Sequence, residues 1–365
     1  MMSTDSGILD EAYERFHTTG PEFDDGLSNH GPMAVEAMAR HGHSRDVHKW
    51  IDWYQDRLED QPRGLTPVTR EDWREALGDY SRLADWQTFL EREIRERPWR
   101  ELLVEWWPRL LPGVMAGSTH GVIRVGHAVR ALHDEEAALL ESGGAEATVT
   151  EGPRVAEFAQ AIAYWAARWA PLASDPAQRS GQITPAVALA DVPPVAEQKI
   201  SISHRLSQLS GTPGWSAALG ALRTPETPQQ ATALLAEIAN AAVLDYLTHG
   251  QANPVMLVHA STAPTAVLRS LPSLPKSLWI PSVDAAWLAT VAMTAAYRNT
   301  EAPAADVAAA VAQTGDVQES FDRAVRHRDE HAVKFADTAL DSYERTGSKD
   351  ALAAATRATL MIKPA

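Results

Sequence analysis

The chain carries thirteen histidines and no cysteine, so a metal ion would have to be held by nitrogen and oxygen. His120 and His127 are seven residues apart. At about 100° per residue that spacing returns them to one helix face, with Arg124 and Ala131 beside them. Val122, Val125, Val129 and Leu132 take the opposite face. Two imidazoles and a guanidinium looking into one polar space suit a metal or an anionic substrate; the same pattern also describes a helix whose polar face meets water. His259 lies inside the apolar run Val255-Met256-Leu257-Val258 and before Ala260, so burial is expected, with a hydrogen-bond partner or a metal on the ring. His30 follows Asn29 just ahead of a helix start, where a ligand and a loop histidine look alike. His331 and Lys334 are three apart and neighbours on a helix surface. The apolar stripe of that helix, Phe321, Val325, Ala332, Phe335 and Ala339, puts Lys334 almost opposite its centre, and by pattern alone it reads as a solvated lysine.

Other groupings carry less. His41, His43 and His48 continue into Arg45, Asp46 and Lys49, which reads as a hydrated loop. His327 and Asp329 resemble half of a facial triad, but on a helix their side chains diverge by about 200°. A single E-x-x-H, Glu14 to His17, is half of what a carboxylate-bridged di-iron bundle needs. Walker A, G-x-G-x-x-G, H-E-x-x-H and G-x-S-x-G motifs are absent, which disfavours a Rossmann flavin or nicotinamide enzyme. Most of the twelve tryptophans are expected in the core, a few lining a flat aromatic pocket.

The elements that must position these groups are helical. Ala, Leu, Glu and Arg recur at helical spacing, and runs of alternating β-branched residues are nearly missing. The fold class expected is all-α, with helices from Pro32 to before Gly42 and over about 47–58, 70–95, 99–110, 121–141, 155–169, 195–209, 228–248, 255–270, 282–297 and 317–345, and a last one to 361. Pro, Gly, Ser and Asp dominate 171–194, the expected long loop or lid. With 365 residues, 45% hydrophobic and 22% charged, the chain reads as one large globular domain, 1–365. A net charge of -15 repels phosphate and anionic headgroups, so neither nucleic acid nor a membrane is an expected partner. No uninterrupted apolar run reaches about 18 residues, and the N-terminus is acidic without an apolar stretch; a cytoplasmic location is expected.

Four blocks read in series resemble the questin oxidase-like family, which acts on aromatic polyketides: Asn29-His30-Gly31-Pro32-Met33 with Glu36-Ala37-Met38, Thr119-His120-Gly121-Val122-Ile123-Arg124 with Gly126-His127-Ala128, His259-Ala260-Ser261-Thr262-Ala263-Pro264, and Asp329-Glu330-His331-Ala332-Val333-Lys334. The resemblance implies an α-helical non-haem iron oxygenase using O2 to cleave a ring of an anthraquinone-type substrate, formally a Baeyer–Villiger-like insertion. Carried onto matching positions, it implies Fe(II) held by His30, His120, His127 and His259, with Lys334 carboxylated by CO2 into an anionic oxygen ligand. His331 would then be an alternate ligand or a neighbour of the site, and Arg124 an anchor for a substrate oxygen. NADPH would serve, if needed, as an external reductant, and no bound flavin is expected. Two other readings stand beside this one: a metal-free helical binding or scaffold protein, and a zinc- or manganese-dependent hydrolase or decarboxylase using the same histidines.

Overall fold

The computed structural model describes residues 4–24, 26–143, 148–172, 181–298 and 303–364. The fold is all-α, as the helical patterning requires, with one two-stranded ribbon among the described residues, Glu22–Phe23 against Leu27–Ser28. The chain forms two compact units, residues 1–171 with 269–275 and residues 172–268 with 276–365. Neither unit is one continuous segment, so no single shift of composition could mark a boundary.

In the first unit the helices Leu83–Glu96 and His120–Glu141 both pack on Pro153–Arg168. Thr4–His17, Gly31–Arg40 and Ser44–Tyr54 pack on one another, and the second of these lies against His120–Glu141. The ribbon feeds directly into Asn29 and His30, and the Asn29 N–H donates to Pro21 O at 2.8 Å, fixing where the next helix begins. Asn29 Oδ1 accepts the Gly31 N–H at 2.8 Å. Gly31 has no alternative here: a Cβ would sit 2.3 Å from Phe16 Cζ. Pro32 follows in the first turn, where its missing N–H costs nothing. Residues 269–275 belong to this unit, and His133 Nε2 and Ser273 Oγ are 2.7 Å apart.

In the second unit Pro228–His249 is the central helix, packed by Pro185–Ala190, Trp279–Tyr297, Glu330–Thr346 and Lys349–Met361. Lys276–Tyr297 reaches a mean hydropathy of 1.2 in its best window, the composition of a spanning helix, and 61% of that window is buried inside the protein. It is a core helix covered by alanine-rich neighbours.

Three expected helices are broken and one shrinks: 255–270 divides into Pro254–Leu257 and His259–Ser270, and of the expected 195–209 only Ile202–Ser207 is helical, followed by the short turn Leu209–Gly211. The stretch 70–95 divides into Trp73–Ala76 and Leu83–Glu96 around Gly78, whose φ of 80° no continuing helix has. The stretch 317–345 divides into Val317–His327 and Glu330–Thr346, because Arg328 is left-handed at φ 72° and Asp329 caps the second helix. Within the expected loop 171–194, residues 173–180 lie outside the described residues. The remainder holds the helix Pro185–Ala190, and Arg298 donates to the carbonyls of Leu189, Ala190 and Val192 at 2.7, 3.1 and 3.0 Å.

Candidate metal centre

The first unit brings His30 and His120 together. Both are buried, and their Nε2 atoms are 2.6 Å apart. His30 is the residue on which Gly31–Arg40 starts; its backbone N–H donates to Tyr54 Oη at 2.8 Å. His120 opens its own helix after Gly117, Ser118 and Thr119, which all have positive φ, 52°, 58° and 71°. Two of these are not glycine, and the β-branched Thr119 is fully buried, so the turn stores strain on the order of 1–3 kcal/mol per residue. What the turn achieves is visible in the ring: the Gly117 carbonyl accepts from His120 Nδ1. With its proton on Nδ1, the imidazole presents a lone pair at Nε2, the form a metal binds.

His127 does not join that pair. Its Nδ1–H donates to Glu36 Oε2 at 2.6 Å, and its Nε2 is 3.4 Å from Arg269 Nη1. Arg130 grips the same carboxylate through Nε at 2.8 Å and Nη2 at 2.5 Å. Burial pushes the Glu36 carboxyl up, but Arg130 and His127 pull it well below the usual carboxylate range, so Glu36 is charged. Burial lowers the His127 pKa, only partly opposed by Glu36, so the ring is neutral at pH 7. Arg124, which the resemblance implied as a substrate anchor, spends two edges on Glu157: Nε to Oε1 at 2.6 Å and Nη2 to Oε2 at 2.8 Å. His17 Nε2 lies 3.1 Å from the same carboxylate. The polar face of this helix therefore does not meet water; Arg124, His127 and Arg130 are all buried and paired.

In the second unit His259 is fully buried at the start of the helix His259–Ser270, with Nδ1 at 3.1 Å from Met256 O. This repeats the His120 device: a carbonyl three residues back takes Nδ1–H and leaves Nε2 as the donor atom. His331 stands beside it, ring centroids 5.7 Å apart, with ligand nitrogens within 4.8 Å of one another. His331 owes its position to Asp329, whose Oδ1 accepts the His331 N–H at 2.8 Å and lies 3.3 Å from the ring Nδ1. Burial raises the Asp329 carboxyl, but His331 and the backbone N–H groups of His331 and Ala332 bring it below its ordinary value.

Lys334 corrects the wheel argument. It is 0% exposed, because Glu330–Thr346 packs against helices on several sides, and among the described residues its Nζ has no hydrogen-bond partner. Burial lowers its pKa from 10.5 to about 7, with Glu330 and Asp329 opposing. The amine is thus neutral in a large part of the population at pH 7, the form that reacts with CO2.

These residues fit a metal. The first unit offers the buried rings of His30 and His120; the second offers those of His259 and His331 and a buried amine that can become an anionic oxygen donor. The model of the questin oxidase-like family matches residues 27–339. The chain belongs to the questin oxidase-like family. No curated protein matches the sequence. The family supports an oxidoreductase, with an oxygenase-type activity in polyketide metabolism. The matched span holds His30, His120, His127, His259, His331 and Lys334, and leaves Thr4–His17 and Lys349–Met361 outside it.

The residues that spacing alone did not indicate are Glu36, Glu157 and the Gly117–Thr119 turn. The carboxylates are 91 and 33 positions from the side chains they pair with, beyond any helical period. For the turn, Gly117 is the one local mark.

Proposed function

We propose that the protein is a non-haem iron-dependent oxygenase that cleaves a ring of an anthraquinone-type aromatic polyketide. The observation that carries the reading is a buried Lys334, whose Nζ has no hydrogen-bond partner among the described residues, in a family member that also buries His30, His120, His259 and His331. The proposed ligands are those four histidines and Lys334 as its carbamate. His127, which the resemblance also implied, serves in this proposal through Glu36 and Arg130 rather than as a ligand. Iron(II), when bound, supplies the activation of O2 for insertion beside a ring carbonyl.

The protein residues do the rest. Gly117 O and Met256 O hold the Nδ1 protons of His120 and His259, so both rings keep their lone pairs at Nε2 without a tautomer change. Lys334 gives up its ammonium proton at Nζ near neutral pH, and the amine takes up CO2; N–C bond formation releases one further proton and leaves a carboxylate. All four histidines stand at or next to a helix start, where the positive end of the backbone dipole disfavours an imidazolium and welcomes an anion. Such an anion is the carbamate or the phenolate of a bound polyphenol. Burial excludes water from these donors.

The test is metal analysis of protein purified without oxygen, with and without bicarbonate, followed by oxygen uptake and product analysis with reduced anthraquinones. Near-stoichiometric iron, lower in Lys334→Ala, and oxygen uptake with a ring-opened product support the reading. A chain that binds no Fe(II) under either condition overturns it.

A further inference from the structure

Most tryptophans of the first unit are sealed in the core, and the cluster Trp73, Trp86 and Trp106 is one example, all three rings buried and packed edge to face. One aromatic set is different because it runs from the surface to a candidate ligand. Trp53 is partly exposed, Trp50 is buried and Tyr54 is fully buried. Trp53 and Trp50 have ring centroids 5.9 Å apart, Trp50 stacks on Tyr54 at 4.6 Å with an interplanar angle of 15°, and Trp53 also lies 6.1 Å from Tyr54. Tyr54 Oη then accepts the backbone N–H of His30 at 2.8 Å. Phe23 closes the same end, 6.2 Å from Tyr54 and 6.3 Å from His30.

Indole and phenol are the side chains most readily oxidised by one electron in a chain that has no cysteine, and rings this close exchange electrons far faster than the protein rearranges. We propose that Trp53, Trp50 and Tyr54 form a one-electron relay between the surface and His30. The inference rests on the proposed iron chemistry for its use: an oxidising equivalent left at the site when O2 is consumed without substrate is drawn outward instead of damaging the ligands. The balance is simple. Tyr54 gives an electron inward and its phenolic proton is displaced locally. Trp50 refills Tyr54, which takes the proton back. Trp53 refills Trp50, and a soluble one-electron reductant of the thiol or ascorbate class refills Trp53. One electron moves from reductant to site, with no net proton.

The guanidinium of Arg57 lies over this group, 5.6 Å from the Trp53 ring, 5.3 Å from Tyr54 and 4.5 Å from Phe23. A positive charge there disfavours a cation radical, so the relay stays reduced against weak oxidants and opens to strong ones.

Because the chain has no cysteine, Asp56→Cys gives a single thiol for a ruthenium polypyridyl photo-oxidant, one helical turn from Trp53. The full-length, metal-free protein is flashed with a sacrificial electron acceptor, and a tyrosyl radical is followed by optical and electron paramagnetic resonance spectroscopy. The expected result is a tyrosyl signal that disappears in Tyr54→Phe, is lost or strongly delayed in Trp53→Phe, and is only slowed in Trp50→Phe, where the 6.1 Å step from Trp53 to Tyr54 remains. Trp53→Phe changes only a partly exposed ring, so it remains informative if Trp50→Phe fails to fold. A signal that is unchanged in Trp53→Phe, or that survives Tyr54→Phe, overturns the relay. A parallel sample loaded with Fe(II) and exposed to O2 without substrate is read by peptide mass spectrometry. Oxidation focused on Trp53 and sparing Trp73, Trp86 and Trp106 supports both ideas. A working photochemical relay with no oxidation in the iron sample supports the relay and counts against the iron reading.

Discussion

The two units treat the charged groups near their histidines differently. In the first, each buried charge beside the histidines has a partner: Glu36 is held by Arg130 and His127, Glu157 by Arg124 and His17. In the second, Lys334 is buried, its Nζ has no hydrogen-bond partner among the described residues, and Glu330 and Asp329 act on it electrostatically. A paired network fixes positions and resists titration. A bare amine is a reactive group, its charge set by the conditions around it. The first arrangement builds a frame and the second leaves chemistry to be done.

The sharpest way to break this comparison is at the histidines themselves. His120→Ala is expected to lose bound iron and lower ring-cleaving turnover at least about 100-fold, in line with loss of a metal ligand, while the melting midpoint stays near that of the metal-free parent. Metal content per chain and product formation check it; retained iron with full turnover removes His120 from the ligand set.

Next in size is the frame. Glu36→Ala strands Arg130 beside His127 in the interior and should cost about 3–5 kcal/mol of folding stability, the usual consequence of removing one member of a buried pair. Urea unfolding of the metal-free protein reads this directly. A loss under about 1 kcal/mol would mean that the network is relaxed or hydrated.

The bare lysine should behave in the reverse sense. With a folded pKa of about 7 against an ordinary 10.5, the unfolded chain binds more protons between those values, so this group makes metal-free stability rise with pH across that window. Below pH 7 the burial cost is fully present. Lys334→Met should therefore stabilise the metal-free protein by up to roughly 4 kcal/mol at pH 6, with the gain shrinking toward pH 10. A Met variant that is less stable than the parent at pH 6 would show that Lys334 is compensated in the metal-free state.

The smallest effect concerns the strained turn. Thr119→Gly relieves a left-handed β-branched residue and should gain about 1 kcal/mol in thermal or urea unfolding. Glycine leaves Nδ1 of His120 less well directed, so the same variant should bind Fe(II) more weakly. Unchanged stability and affinity together would remove the turn from the site's design.

Much of this is legible in the sequence. The all-α class follows from patterning, and the blocks around His30, His120, His259 and Lys334 carried the family. Lys334 shows where reading one helix fails: the wheel measured the strongest apolar stripe, but Glu330–Thr346 packs against Val317–His327, Pro228–His249 and Lys349–Met361, so its weak face is core as well. Arg124 fails for a related reason, since its partner Glu157 sits on another helix and no spacing rule reaches it. The break at Arg328 was half visible. Asp329 is a strong helix-capping residue, yet the apolar repeat runs on through it, and periodicity outvoted the cap.

Gly31 has a consequence in the currency of descent. Its bare Cα is pressed by Phe16, which belongs to Thr4–His17, a helix ahead of the family's shared span at residues 27–339. His30 is thus braced from outside the sequence that defines its kin. A relative that arrives with a different leading segment must either rebuild that contact or let its glycine drift, so the two should be inherited together.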